Sequence, residues 1–436
     1  MGRGETSHRL EAIAHRPIAS DLGLQAGTQQ AGVLKACSAR ETRVLSRFRQ
    51  TWPFWPLYML RGATRTGILL LHAYAAACFV AGPSTLRLRP LQSITQRILR
   101  AAGLPPRSLT TSSSPRMVVS PYASKPYPVG KPGEVWGGKE REAWLARQVR
   151  QRSYADEVLS KIDALKASQK WDVEQYGSLS VDADRFPLFV FKSREWNAAN
   201  PTCLVTGGVH GYETSGVQGA LLFLSSAADA YLSRVNLVVA PCISPWGYEH
   251  IQRWNNNADD PNRNFHPDSP CDECSALMNM LRDMATAGTT FDLHIDLHET
   301  TDSDEEEFMP AKAARDGVAY QQGYIPDGFY LVGDSAAPQP AWHSAIIEAV
   351  RKVTHIAPPD ANGTIIGEVP TQDGVIVYPC ETLNLCAAVT GKVGTIARYR
   401  TTTEVYPDSP KANDDICNRA QVASVTAAID YLLASA

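Results

Sequence analysis

The apolar positions of this chain change period several times, and each change marks an element. Residues 203–209 (CLVTGGV) and 235–243 (VNLVVAPCI) are short β-branched runs without polar alternation, the pattern of central strands buried on both faces. Between them Val217, Leu221, Leu224 and Ala228 recur at spacings of four, three and four, which predicts a helix over 214–232. Such a strand–helix–strand unit predicts an α/β sheet with helices on both faces. Residues 291–298 (FDLHIDLH) alternate: Phe291, Leu293, Ile295 and Leu297 share one face, and Asp292, His294, Asp296 and His298 share the other. Residues 173–180 and 186–192 read as a strand pair, 140–169 as helix with a break near Ser153, and 275–286 as a further helix. Toward the C-terminus, 329–332 and 396–405 read as strands. Residues 415–433 read as a helix behind the cap-like Asn413-Asp414-Asp415. No internal repeat is present.

Charge divides this pattern into two unlike parts. Residues 1–116 hold 16 basic and 4 acidic side chains, and the remaining residues 26 basic and 41 acidic. The first part lacks a sustained period over 1–60. Its apolar run 68–80 (ILLLHAYAAACFV) is interrupted by His72 and falls short of the roughly 20 residues of a membrane-spanning helix. The stretch that follows is Arg-rich, Ser/Thr-rich and free of acids, as organelle transit peptides are, and Met117 at its end is an alternative start. Residues 1–116 are therefore expected to be a disordered or targeting extension. No stable membrane span is expected, and an intracellular soluble protein follows, mitochondrial or in another organelle if the extension is a leader. Nucleic-acid binding would need the basic arm retained and folded, and is not expected. Nine cysteines in 436 residues do not form a disulfide framework. Cys271 and Cys274 make the single CxxC, and without a partner pair they read as semi-buried thiols at a helix start.

Candidate chemistry clusters at the strand ends. His210-Gly-Tyr-Glu213 follows the first apolar strand, which places an imidazole and a carboxylate on one turn, close enough to hold the same ion. A catalytic zinc commonly keeps three protein ligands and one open position. The third ligand would be His298 or His294. His298 is favoured because it ends its strand on the side where open α/β sheets build their sites, whereas His294 reads as a buried, hydrogen-bonded histidine. In the loop NNNADDPNRNF, Arg263 could grip a carboxylate bidentately, and Arg253, ten residues upstream, could stabilise an oxyanion; the alternative for both arginines is a surface pair with Asp259, Asp260 or Glu249. Glu404, late in a threonine-rich β stretch, is a candidate for the base that hydrolysis at a metal requires.

HGYE, then DxNRNF, then DLH, then TxE near the C-terminus, in that order, resembles the zinc carboxypeptidase family, which includes the aspartoacylase and succinylglutamate desuccinylase deacylases. The resemblance covers roughly 180–436 and implies that 117–436 form a catalytic domain. The implied fold is α/β, a mixed, mostly parallel twisted sheet of about eight strands flanked by helices. It implies His210, Glu213 and His298 as ligands of one Zn2+, Asn262 and Arg263 as the grip on a terminal carboxylate, and Arg253 as the oxyanion-stabilising group. It further implies Asp260 as the residue orienting the first histidine, and Glu404 as general base. The activity implied is removal of a C-terminal residue from a peptide. Deacylation of an N-acyl amino acid and an inactive binding protein on the same fold are the alternatives. The family's lid tyrosine does not align, Tyr378 and Tyr399 being candidates. The acidic run 302–307 (DSDEEE) reads as a solvated loop, with a preference for basic substrates or a second cation as the rival readings.

Overall fold

A computed structural model describes residues 120–435. The extension 1–116, its apolar run and Met117 lie outside the described residues. Within them no helix is long and apolar enough to cross a membrane.

Eight strands form one sheet in the order β1-β2-β4-β3-β5-β8-β6-β7. They are β1 (Trp171–Ser178), β2 (Pro187–Ser193), β3 (Thr202–Gly207), β4 (Asn236–Ala240), β5 (Leu293–Glu299), β6 (Tyr330–Asp334), β7 (Val375–Tyr378) and β8 (Tyr399–Val405). β4, β3, β5 and β8 are parallel neighbours; β1 and β2 extend one side antiparallel. On the other side β6 runs antiparallel to β8, and β7 runs parallel to β6. The fold is thus α/β with a mixed, mostly parallel sheet. The two apolar runs are its centre, every residue of β3 and β4 being buried.

Helices cover both faces. In chain order they are α1 (Gly138–Leu145), α2 (Ser160–Ala167, entered through a π turn at Ala155–Leu159), α3 (Thr214–Ser226), α4 (Pro245–His250) and α5 (Asp272–Thr286). They continue with α6 (Met309–Arg315), α7 (Pro340–Val350), the single turn α8 (Val389–Lys392) and α9 (Asp414–Ala434). α3 ends at Ser226 rather than near 232, and a 3-10 turn over Ala228–Ala230 follows. Its predicted apolar stripe is nonetheless buried through Ala228. The cap at Asn413 forms as expected, its side chain accepting from the Ile416 amide. Cys271 and Cys274 lie at the start of α5, fully rather than partly buried. The segment 299–403 yields elements that periodicity did not reveal: α6, α7 and β7.

Two buried features place the site at the C-terminal ends of β3, β5 and β8. Gly216 lets the first turn of α3 press onto the sheet, since a Cβ there would stand 2.4 Å from the Leu297 carbonyl oxygen. Gln421 of α9, fully buried, donates to the His298 carbonyl (2.9 Å) and accepts from the Thr403 hydroxyl (2.6 Å). It thereby ties adjacent strands together behind the site. Gly216→Ala is expected to destabilise the fold by about 3 kcal/mol, because a backbone carbonyl cannot retreat as a side chain can. Urea unfolding checks this, with a cost below about 0.5 kcal/mol counting against the close approach.

Candidate metal-dependent active site

The turn after β3 carries His210 and Glu213, and both are 1% exposed. His298 arrives from the end of β5, equally buried. Its Nδ1 lies 2.7 Å from Glu213 Oε2, and His210 Nδ1 lies 2.7 Å from Oε1 of the same carboxylate. Each imidazole is anchored on its far nitrogen by a second carboxylate. His210 Nε2 lies 3.0 Å from Asp260 Oδ1, and His298 Nε2 lies 2.7 Å from Asp296 Oδ2. Burial by itself would raise the Glu213 pKa, yet His298 and His210 hold it well below the ordinary carboxylate value. Burial would likewise discharge His298, and Asp296 with Glu213 instead raise its pKa well above normal.

This donor set fits a divalent cation. The ligating atoms of His210, Glu213 and His298 all lie within 4.8 Å of one another. Imidazoles that hold metals almost always have the other nitrogen fixed by a carboxylate or carbonyl. Coordination needs deprotonated nitrogens, so a cation takes over the work that shared protons perform between these groups. The donors suit zinc by type.

Arg253 stands beside this cluster with only 15% of its side chain exposed. Its Nε lies 3.2 Å from Asp260 Oδ2, and its Nη1 lies 3.2 Å from the Tyr212 hydroxyl and 3.5 Å from Asp304 Oδ1. The guanidinium rests 4.2 Å from the Phe308 ring centroid. Of the surface partners considered for it, only Asp260 is realised. Asp259 pairs with Arg141, and Glu249 with Arg150 and Arg185. Asp304 belongs to the acidic run, which is no solvated loop. It forms a π turn leading into α6, with Glu305 buried and accepting from the Tyr320 hydroxyl and the Gly323 amide.

Asn262 and Arg263 sit on a 3-10 turn capped by the Asp260 side chain. Asn262 Oδ1 accepts from the Cys386 amide (2.8 Å), which fixes the carboxamide in the lining of the cleft. Arg263 is solvent-accessible and makes no ion pair among the described residues. Glu404 of β8 is the register partner of His298, accepts from the Thr300 hydroxyl (3.0 Å), and is pushed up to about 8 by burial and then by the Glu213 charge. All eight residues singled out by sequence thus fall together at one end of the sheet. Six of them, His210, Arg253, Asp260, Asn262, Arg263 and Glu404, line a cleft of about 1060 Å³.

Tyr378 lines the same cleft, whereas Tyr399 is buried against Trp342 and Tyr431. His294 is a hydrogen-bonded core histidine, between the Thr206 hydroxyl and the Ala387 carbonyl. Asp296 was missed as the anchor of His298, although its signal was legible: two residues apart on a strand means the same face. Asp304, Phe308 and Tyr212 gave no comparable signal, because their contacts with Arg253 join distant segments.

A family described as a protein of unknown function (DUF2817) matches residues 190–320. No curated protein matches the sequence. The structure is similar to that of a "putative metallopeptidase" from Shewanella denitrificans, at 19% identity and TM-score 0.48, over 63% of this chain and 89% of that one. It is similar to a counterpart from Shewanella amazonensis, also at 19% and 0.48, over 66% and 99%. A metallo-carboxypeptidase from Burkholderia cenocepacia aligns at 15% and 0.43, over 64% and 69%.

Removing one member of a buried ion-pair network strands its partners. Asp260→Ala is expected to cost about 3–5 kcal/mol in unfolding free energy, because Arg253 and His210 each lose one of their carboxylate partners. Asp260→Asn, which keeps the capping acceptor, should cost less. Equal costs in denaturant titrations would count against the charge network.

Proposed function

We propose that the protein is a zinc-dependent carboxypeptidase that hydrolyses the last peptide bond of a peptide. The observation that carries this reading is the convergence of two anchored imidazoles on the Glu213 carboxylate, with a solvent-accessible Arg263 and a half-buried Glu404 in the same cleft. His210, Glu213 and His298 would hold the ion. When bound, zinc supplies a Lewis acid that polarises the scissile carbonyl and lowers the pKa of water.

The remaining work falls to side chains. Arg263 and the Asn262 amino group receive the terminal carboxylate, a planar anion matched by a guanidinium fork. Arg253 presents its unshared N–H groups to the carbonyl oxygen as negative charge builds there. Its clamp of Asp260, Asp304 and Tyr212 means that little reorganisation is needed at that moment. Glu404 takes a proton from the attacking water and delivers it to the departing amine. Glu213 helps to hold that carboxyl up at about 8, and a cation neutralising Glu213 lowers it toward the ionised state that a base requires. The cleft of about 1060 Å³ is larger than a single acyl amino acid needs, which favours a peptide.

Glu404→Gln is expected to lower kcat by about 10²–10⁴-fold while the variant still binds one zinc, measured by metal analysis and peptide turnover. Retained turnover removes Glu404 as base. Arg263→Ala should raise KM at least tenfold for peptides with a free C-terminus. Amidating that terminus should abolish cleavage by the parent enzyme and erase the difference between the two proteins. Turnover of N-acyl amino acids but of no peptide would move the reading to a deacylase.

A further inference from the structure

The described residues ahead of α1 form no helix or strand, yet two of their aromatic side chains are buried: Tyr127 is 7% exposed and Trp136 6%. Together they fasten both ends of the segment 304–315. The Tyr127 hydroxyl donates to Glu307 Oε1 in the acidic π turn. The Trp136 amide donates to the Arg315 carbonyl at the end of α6 (2.9 Å). Between the two, Gly130 crosses the Trp136 indole at φ 80°, and a Cβ there would stand 2.5 Å from Nε1. The residues around Gly130 are thus folded down onto that ring.

A file of rings leads from these residues to the site. The Tyr127 and Trp136 centroids are 6.0 Å apart, Trp136 meets Trp254 edge to face at 6.1 Å, and Trp254 meets Phe308 edge to face at 5.6 Å. All three spacings suit favourable aromatic pairs. Trp254, 2% exposed, also packs against Trp144 (5.5 Å) and carries the Arg315 guanidinium 4.5 Å from its ring. The file ends on Arg253, whose guanidinium rests on Phe308.

The segment 304–315 needs such support. Asp304, Phe308, Met309 and Lys312 line the cleft, so one side of the segment faces open space and its place is set by contacts on the others. The same π turn offers Asp304 and Phe308 to Arg253 and Glu307 to Tyr127. A shift of that turn therefore moves the guanidinium. Donors aimed at a developing oxyanion act through placement, and an error of about 1 Å can cost roughly 10²-fold in rate.

We propose that Tyr127, Trp136 and Trp254 are positioning residues that hold Arg253 in place for the oxyanion. Residues 127–136 then belong to the catalytic unit, although they lie far ahead of its motifs in the chain. This rests on the reading of Arg253 as the oxyanion-stabilising group. The three side chains touch neither the metal-ligating atoms nor the carboxylate grip. Their loss should therefore fall on kcat, and leave KM and the bound zinc as they were.

The test uses the zinc-loaded full chain and a peptide with a free C-terminus. Tyr127→Phe, which removes one oxygen, should lower kcat at least threefold, and Trp136→Leu and Trp254→Leu at least tenfold. KM should stay within twofold of the parent, with zinc content unchanged. Trp136→Phe and Trp254→Phe, which keep a ring, should retain most of the parental kcat. In an Arg253→Ala background none of these substitutions should change kcat by more than twofold, since the group they place is gone. Exchange of the Arg253 Nε proton, identified by its loss in Arg253→Lys, is followed by NMR and should be at least fivefold faster in Tyr127→Phe. This readout decides the matter where Arg253→Ala is too slow to assay. Should the leucine variants fail to fold by circular dichroism, Tyr127→Phe carries the test alone. Parental kcat in Tyr127→Phe, or losses undiminished in the Arg253→Ala background, overturn the positioning role and leave the reaction standing. Absent hydrolysis by the parent with faster exchange in Tyr127→Phe overturns the reaction and leaves the positioning standing. Absent hydrolysis with unchanged exchange overturns both.

Discussion

A carboxylate withdrawn from water must be given charge partners or lose its charge, and Glu213 is 1% exposed. It is satisfied by two imidazoles, one on each oxygen, and those imidazoles are themselves buried and need anchors. Asp260 and Asp296 supply them, and Asp260 in turn needs Arg253. The site is thus a chain of obligations that begins with one buried charge. Each member fixes the next, and the result is a set of donors held in place before any ligand arrives. A divalent cation held by His210, Glu213 and His298 would add positive charge at the point where the carboxylates of Glu213, Asp260 and Asp296 converge on the two imidazoles.

The sheet makes such a cluster possible. Parallel strands β3, β5 and β8 bring their C-terminal ends into one row, so that residues 210, 298 and 404 become neighbours although nearly two hundred positions separate the first from the last. The close fit of α3 at Gly216 and the buried Gln421 on α9 brace that row from behind. In front, the acidic turn at 304–308 closes over Arg253 through Asp304 and Phe308. Rigid strands therefore carry the groups whose relative position matters most, while loops and short helices shape the walls.

The central strands, α3 and the C-terminal helix were legible because burial on both faces and a helical stripe leave periodic traces. The site residues were legible because their types and their order along the chain coincide with strand ends. Asp296 was equally visible as the same-face neighbour of His298, and only its role was missed. The segment 299–403 was largely opaque. β7 has four residues, too few for a period to show, and the Asp302–Glu307 run has the composition of a solvated loop. Composition could not show that Arg253 and the Tyr320–Gly323 turn would supply partners for Asp304 and Glu305.

Taken by itself, the sequence determined the α/β layering, the alternation of faces along β5, and the supply of imidazoles and carboxylates at the ends of the central strands. These depend on residues a few positions apart, where backbone geometry alone sets the spacing. Only the tertiary structure decided which carboxylate anchors which histidine, that Asp304 clamps Arg253, and that the Cys386 amide pins the Asn262 carboxamide. Those outcomes depend on contacts between segments far apart in the chain, and only packing of the whole sheet fixes them.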